Sequence, residues 1–271
     1  MVEYPAKETS SILQNDREGF FVPVSTQWVK ERAAALGADL CGVANADGFS
    51  GAPEGFHPRD VLPGCRTVVV LAKRFLSSTL SARSTIPYTD VRNRLTRFMD
   101  ELSIALCYEL EDSGLSAVPV NAIGPTEWDA RTGKSRGIIS LKHAGELAGL
   151  GRIGKNTLLV TPKFGNMVWL GAVITDATLE ADRMAPENPC LSECRKCLDA
   201  CPVHAMDGVS MDQRACWEHA FGPKDGGEWR IKCHTCRSVC PNRFGMSSPP
   251  ADRSRSSAAP SRGIHFGRTR S

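Results

Sequence analysis

The sequence lacks a long apolar run and any recognisable export signal. Its longest apolar stretch, over residues 168–174, is far shorter than the ~18 residues that a membrane-spanning helix needs. No charged segment followed by an apolar one opens the chain, which argues against a secretory signal. With a hydrophobic fraction of 41%, ordinary for a globular protein, we expect a soluble cytoplasmic protein.

The sequence also carries little net charge, and most of that charge lies at one end. The formal charge is +3, but five arginines against Asp252 give residues 248–271 a charge of +4 and leave −1 on residues 1–247. The body of the protein is therefore not expected to bind nucleic acid through its charge. The terminal segment is rich in Ser, Pro and Arg, a composition that predicts disorder.

Cysteine, by contrast, is concentrated in one short region. Eight of the eleven cysteines lie between Cys190 and Cys240. The first run reads PCLSECRKCLDACP and the second reads CHTCRSVCP, with Cys216 between them. Repeated C-x2-C-x3-C-P runs are typical of proteins that hold two [4Fe–4S] clusters, each bound by four thiolates. The sequence therefore predicts two such clusters.

The spacing also predicts which cysteines share a cluster. In two-cluster ferredoxins the cysteine before proline binds the cluster of the other run. The first cluster is then expected to use Cys190, Cys194, Cys197 and Cys240. The second is expected to use Cys201, Cys216, Cys233 and Cys236. The gap of three residues after Cys190, where the usual run has two, makes Cys190 the least regular of these ligands.

Zinc sites, disulfides and free thiols fit this cysteine pattern less well than iron–sulfur clusters do. Zinc ribbons also use C-x2-C pairs, but neither the C-P ending nor its repetition is typical of zinc sites. Disulfides would require an oxidising compartment, to which the start of the chain shows no route. Eight unligated thiols in one short segment are the least plausible of the three.

Hydrophobic periodicity predicts an α/β part ahead of the cysteines. The predicted helices cover residues 26–36, with Thr26 as the cap, 91–111 and 142–148. The predicted strands cover residues 39–44, 66–72, 117–122, 157–161 and 167–175, the last two as a hairpin. Segments 48–63 and 124–137 are predicted to be loops.

The same patterns predict the domain boundaries. We expect an irregular leader over residues 1–24, an α/β domain over 25–182, a cluster domain over 183–247 and a disordered tail over 248–271. Within the cluster domain, short helical turns at 198–200 and 237–239 occupy matching positions of the two cysteine runs.

A glycine-rich segment, GLGRIGKN, precedes the predicted hairpin. Gly149, Gly151 and Gly154 match G-x-G-x-x-G, but a dinucleotide site needs a strand before this motif and a helix after it. Here the predicted order is reversed, which argues against a dinucleotide site. The glycines still predict close backbone approach, and Lys155 and Asn156 add a cation and an amide. A tight turn and a loop against a polar cofactor both remain open.

These motifs together resemble those of the epoxyqueuosine reductase family. The similarity rests on GLGRIGKNTLLVTPKFG, WLGAVITD, the double cysteine run, RACW and CPNRFG, and covers about residues 25–246. The resemblance implies a flavin-reductase-like (nitroreductase-like) α/β domain that binds cobalamin, followed by a small two-cluster ferredoxin-like domain, a layout shared with reductive dehalogenases. It also implies that five residues line the corrin: Gly149, Gly151, Gly154, Lys155 and Asn156.

The resemblance further implies an external electron donor, such as a flavodoxin or ferredoxin, and a small-molecule or modified-nucleoside substrate. Two departures mark a divergent branch. The family's catalytic aspartate lies in a V-D-S/T segment, whereas residues 119–122 here read PVNA, so Asp129 and His143 are the candidate replacements. The helical repeats that end many such reductases have no counterpart after residue 247. The alternative functions are a non-catalytic electron-transfer protein and an activator that reduces the corrinoid of another protein.

Overall fold

The computed structural model describes residues 24–131, 133–186, 190–223 and 226–245. The predicted tail, and the predicted leader apart from Val24, lie outside the described residues. The helices are α1 Thr26–Ala35, α2 Pro58–Val61, α3 Ile86–Asp112, α4 Leu141–Leu147, α5 Lys196–Asp199, α6 Gln213–Ala220 and α7 Thr235–Ser238. The strands are β1 Leu40–Asn45, β2 Thr67–Arg74, β3 Ala117–Val120, β4 Glu127–Asp129, β5 Lys134–Arg136, β6 Arg152–Ile153, β7 Leu159–Val160, β8 Val168–Thr175, β9 Phe221–Pro223 and β10 Trp229–Ile231.

An antiparallel sheet with the order β1-β2-β8-β3 forms the centre of the α/β part. Alternate residues of β2 point to opposite faces, as the pleat of a strand requires. Val69 and Leu71 pack against α1 and α3, whereas Val68 and Val70 pack on the side of α4. Because both faces of β2 are covered, its sequence is a continuous apolar run. The strand predicted there is confirmed.

Helix α3 is longer than its periodicity predicts. It begins at Ile86 rather than near residue 91, because Pro87 is compatible with a first helical turn and Ser84 accepts a hydrogen bond from the Ile86 N–H at 3.2 Å. Its apolar face, which includes Met99, Leu106 and Leu110, is fully buried against the sheet. The helix predicted at the start of the chain is also confirmed, although Ser25 caps it rather than Thr26.

The predicted hairpin of residues 157–161 and 167–175 is wrong. Strand β7 pairs with β6, and β8 crosses to the main sheet, where it lies between β2 and β3. The reason is burial: β8 is apolar on both faces, so it is better placed at the centre of a covered sheet than in an exposed ribbon. The two predicted loops are also partly ordered, because residues 48–63 contain α2 and residues 124–137 contain the β4–β5 pair.

The cysteine-rich part is built from short elements. The two helical turns predicted there are present, and each begins two residues earlier than predicted, as α5 and α7. These turns pack against each other, and β9, which pairs with β10, contacts α6. Across the described ranges, none of the helices is long and apolar enough to cross a bilayer.

Two buried thiols of the α/β part make a pH prediction possible. Burial raises the pKa of Cys65 to about 11 and that of Cys107 to about 12, from an ordinary 9.0. Above pH 9 an unfolded chain ionises these thiols while the folded chain does not, so the free energy of unfolding should fall with rising pH. Below pH 9 both states hold the protons and these thiols contribute no slope.

Urea unfolding at a series of pH values would measure this slope. The decline should extend from pH 9 to about pH 12, and Cys107→Ala should make it shallower. An equal slope in the wild-type protein and in both Cys65→Ala and Cys107→Ala would contradict the prediction.

Candidate functional site

The first group of thiols draws its members from both cysteine runs. Burial raises the pKa of Cys240, and the nearby thiols of Cys190, Cys197 and Cys194 raise it further. The pKa of Cys197 is raised by burial and then by Cys190 and Cys194. These four residues, here called the first thiol set, are therefore mutual neighbours, although Cys240 belongs to the second run of the sequence.

The second group contains the other four cysteines of the region. Burial raises the pKa of Cys236 to about 11, and Cys216, Cys233 and Cys201 raise it as well, while Arg237 lowers it. The pKa of Cys216 is raised by burial and then by Cys201 and Cys233. We call these four the second thiol set. Their use as cluster ligands stays a prediction.

Backbone N–H groups point at two of the cysteine sulfur atoms. The Lys155 N–H points at Cys190 Sγ at 3.3 Å, and the Ala205 N–H points at Cys201 Sγ at 3.4 Å. Such bonds to sulfur tune the potential of iron–sulfur clusters. Among the residues that the structure describes, no three His, Cys, Asp or Glu side chains form a group able to hold a metal ion.

The glycine-rich segment turns tightly after α4, forms β6 and then turns again toward β7. A helix before it and a strand after it is the wrong order for a dinucleotide site, as the sequence predicted. A Cβ atom on Gly149 would lie 2.3 Å from the Arg183 carbonyl oxygen, and one on Gly151 would lie 2.2 Å from that of Val160. Protein backbone therefore fills the side of each glycine where another residue would carry its side chain.

The rest of this segment contacts both thiol sets. The Lys155 ammonium donates to the carbonyl oxygens of Leu191 at 3.0 Å, Ser192 at 2.5 Å and Cys194 at 3.0 Å. The buried Asn156 side chain donates to the Cys236 carbonyl oxygen at 3.2 Å. A Cβ atom on Gly154 would lie 3.3 Å from Cys190 Sγ. The segment thus ties the α/β part to the cysteine-rich part, and its predicted contact with a corrin stays a prediction.

A second connection between the two parts has no counterpart among the sequence-based predictions. The buried Arg237 guanidinium donates to the Asn166 carbonyl oxygen, and the Asn166 amide donates to the Arg237 carbonyl oxygen at 3.3 Å. Beside them Gly165 lies directly against the backbone of Asn242 and Arg243. The sequence does contain a signal for this connection, which is the arginine inside the second cysteine run. A residue between cluster ligands has little room for an unpaired charge, so its side chain needs a partner.

A cavity of about 590 Å³ lies where the two parts meet. We call it the junction cavity. Phe49, Phe56 and Ile153 from the α/β part and Met211 from the cysteine-rich part contribute its apolar walls. Its charged wall contains Lys134, Arg136, Lys142 and Glu146. A second cavity of about 640 Å³ adjoins it and shares Lys134, Ser210, Met211 and Gln213. The volume is in the range of ordinary ligand sites.

The structure separates the two candidates for the missing acid. His143 lines the junction cavity, and its Nδ1 lies 2.6 Å from Ser140 Oγ. Burial and the neighbouring Lys142 hold the pKa of His143 below its ordinary value, so the ring is neutral near pH 7. Asp129 lies on β4, where its carboxylate accepts the Arg131 N–H at 2.9 Å, and it is not among the residues lining the cavity. Asn121, which directly follows β3 in the segment compared above with V-D-S/T, donates to the Gly124 carbonyl oxygen at 2.7 Å.

Comparison with solved structures finds the same fold in two groups of enzymes. A selenomethionine-labelled epoxyqueuosine reductase matches with a TM-score of 0.56 and 25% identity over 80% of this chain and 65% of that one. This chain thus spans just under two thirds of that protein. The catabolic reductive dehalogenase NpRdhA matches with a TM-score of 0.60 at 21% identity over 80% of this chain and 32% of that one, a likeness of fold alone.

Comparison of sequences identifies the relatives. No family model matches the sequence. The chain is 30% identical over 280 residues to the epoxyqueuosine reductase of Gloeobacter violaceus, covering 85% of this chain and 81% of that protein. It is 27% identical over 245 residues to the enzyme of Synechocystis sp., covering 81% of this chain and 75% of that protein. With most of the length of both chains matched in this way, the protein belongs to the epoxyqueuosine reductase family.

Proposed function

We propose that this protein is a cytoplasmic reductase that passes electrons through two [4Fe–4S] clusters to a bound corrinoid. The observation that carries the proposal is the grouping of eight thiols into two sets of four, each drawing on both cysteine runs. This is the arrangement by which two-cluster ferredoxins bind their clusters. Membership of a reductase family supports the same conclusion.

The thiol sets suit clusters in three respects. Cys197, Cys201 and Cys240 are buried, so a bound cluster would be largely shielded from water. Each set receives a backbone N–H at one sulfur, from Lys155 or from Ala205. The raised pKa values keep several of these thiols protonated in the absence of iron, so cluster binding would release protons and would be favoured by higher pH.

The junction cavity suits a corrinoid. Both parts of the protein contribute to its wall. Phe49, Phe56 and Ile153 would hold its apolar edge. When bound, a corrinoid supplies a strongly reducing metal centre that the protein itself cannot provide.

The glycine-rich segment would connect this cavity to the first thiol set. Ile153 lines the cavity, and the following residues, Gly154 and Lys155, touch Cys190. Gly149, Gly151 and Asn156 belong to the same segment, and the proposal keeps all five residues as lining the corrin. The Glu146 carboxylate fixes the turn by accepting the Ile153 N–H at 2.9 Å.

His143 is the residue that we propose to handle a proton in the cavity. It lines the cavity and is positioned by Ser140, and an imidazole that is neutral near pH 7 can accept a proton and return it, as general acid–base work requires. One related structure is an epoxyqueuosine reductase with an epoxyqueuosine-modified tRNA stem loop, and a dehalogenase of the same fold is described as B12-dependent. For this chain we propose a small-molecule or modified-nucleoside substrate and an external donor such as a flavodoxin or ferredoxin.

Anaerobic reconstitution with iron and sulfide, followed by titration with cob(II)alamin under EPR, tests the proposal. We expect about eight irons per chain, since two cubes hold four each, and a changed cob(II)alamin signal that saturates near one per chain. Eight irons with an unchanged cobalamin signal would leave an electron-transfer protein. Fewer than about four irons would contradict the cluster assignment itself.

A further inference from the structure

Three cations converge on the junction cavity without a matching number of acids. Lys134 and Arg136 come from β5 and Lys142 from α4, and all three side chains line the cavity. Glu146 is the one carboxylate among the lining residues. It already lies 3.3 Å from the Arg152 Nε atom and accepts the Ile153 N–H. The Glu146 carboxylate is therefore already engaged by Arg152 and by the Ile153 N–H.

The three cations themselves have no ion pair within the described ranges of the chain. The Arg136 guanidinium lies over the Phe56 ring, 5.2 Å from its centroid, which orients the group without neutralising it. The pKa of Lys142 is lowered by burial and by the charge of Lys134, so the two lysines are close enough to repel each other. Arg136 and Lys142 are half-buried and Lys134 is exposed, and like charges gathered at a concave surface are stabilised by a bound anion.

The strand that carries two of these cations is fixed to both parts of the protein. Its Ser135 N–H donates to the Gln213 side chain at 2.6 Å, which pins β5 to the start of α6. In the antiparallel pairing of β4 with β5, Arg136 lies opposite Glu127, with no ion pair between the two side chains. Lys134 and Arg136 are thus presented from a strand held by these contacts, and Lys142 is presented from α4.

We propose that the Lys134, Arg136 and Lys142 cluster is an oxyanion-binding site for a phosphate or carboxylate group. Arginine recognises such groups through a planar pair of donors, and lysine adds point charges. The role assigned to the bound oxyanion rests on the proposed function. The oxyanion belongs either to the phosphate of the corrinoid's nucleotide arm or to an acidic group of the substrate. The hydroxyl of Ser140 and the ring of His143 lie on the same wall.

A titration of the full chain with inorganic phosphate, monitored by ³¹P NMR, tests the site directly. The Arg136→Met/Lys142→Met variant should weaken phosphate binding by about tenfold or more, which corresponds to about 1.4 kcal/mol. Lys163→Met is the matched control, since Lys163 is exposed, lies over the Phe164 ring and does not line the cavity. Equal phosphate affinity in the wild-type, double-variant and control proteins would overturn the inference. Circular dichroism would verify that the variants fold.

Comparing cobalamin with cobinamide, which lacks the phosphate arm, distinguishes the two sources. If the double variant weakens cobalamin binding and leaves cobinamide unchanged, the oxyanion is the nucleotide-arm phosphate. If both corrinoids bind the variant as they bind the wild type while phosphate binding is weakened, the oxyanion belongs to the substrate. Weakened phosphate binding in a chain that takes up no corrinoid would support this site and contradict the proposed function. Corrinoid uptake with equal phosphate affinity in all variants would support the proposed function and contradict this site.

Discussion

Replacement of Cys240 by serine will remove one cluster and leave the other. Iron should fall from about eight to about four per chain, with acid-labile sulfide falling in parallel, because each cube needs four thiolates. The remaining EPR signal should belong to the second thiol set, although Cys240 stands in the same sequence run as Cys233 and Cys236. Cys41→Ala, outside both thiol sets, should keep the full iron content.

Two double variants make this expectation decisive. Cys190→Ser/Cys240→Ser changes two members of the first thiol set, so about four irons should remain. Cys216→Ser/Cys240→Ser changes one member of each set, so almost no iron should remain. If each cluster instead used the cysteines in their order along the chain, the two results would be exchanged. That exchange would sink the crossed assignment.

Local patterns explain why much of the α/β part was predictable. The apolar run of β2 and the helical spacing of α3 each depend on neighbours within a few turns or residues, so they can be recognised without a tertiary structure. Strand β8 was located correctly as a strand but was assigned the wrong partner. Its pairing with β2 joins residues about a hundred positions apart, such as Val69 and Val173, and no local signal specifies that choice.

The same distinction applies to the candidate site. Cysteine spacing is a local pattern, and the crossed grouping of thiols could be inferred from it. The junction cavity could not, because it forms only when β5, α4 and the segment around Met211 meet. Lys155 illustrates both cases. Its sequence motif identifies it as a candidate site residue, whereas its contacts with three carbonyl oxygens of the first cysteine run depend on the fold.

Alanine in place of Gly165 should disrupt the connection between the two parts of the protein. Gly165 has a φ of 59°, and a Cβ atom there would lie 2.0 Å from the Asn242 carbonyl oxygen and 2.4 Å from the Arg243 carbonyl carbon. Both neighbours are backbone atoms, so relieving the conflict requires a shift of the backbone, either at Gly165 or in the segment after Cys240. We expect a loss of about 3 kcal/mol or more in the free energy of unfolding, and therefore a midpoint roughly 6–12 °C lower.

Gly114→Ala separates the cost of the backbone conformation from that of the lost connection. Gly114 also has a positive φ, of 78°, but a Cβ atom there would meet nothing within 4 Å. It should lose only about 1 kcal/mol, the conformational penalty alone. Because Gly165 faces the segment that follows Cys240, its variant should also load less iron into the first thiol set, whereas Gly114→Ala should load as the wild type does. Equal thermal midpoints and equal iron contents in the two variants would show that Gly165 does not hold the cysteine-rich part in place.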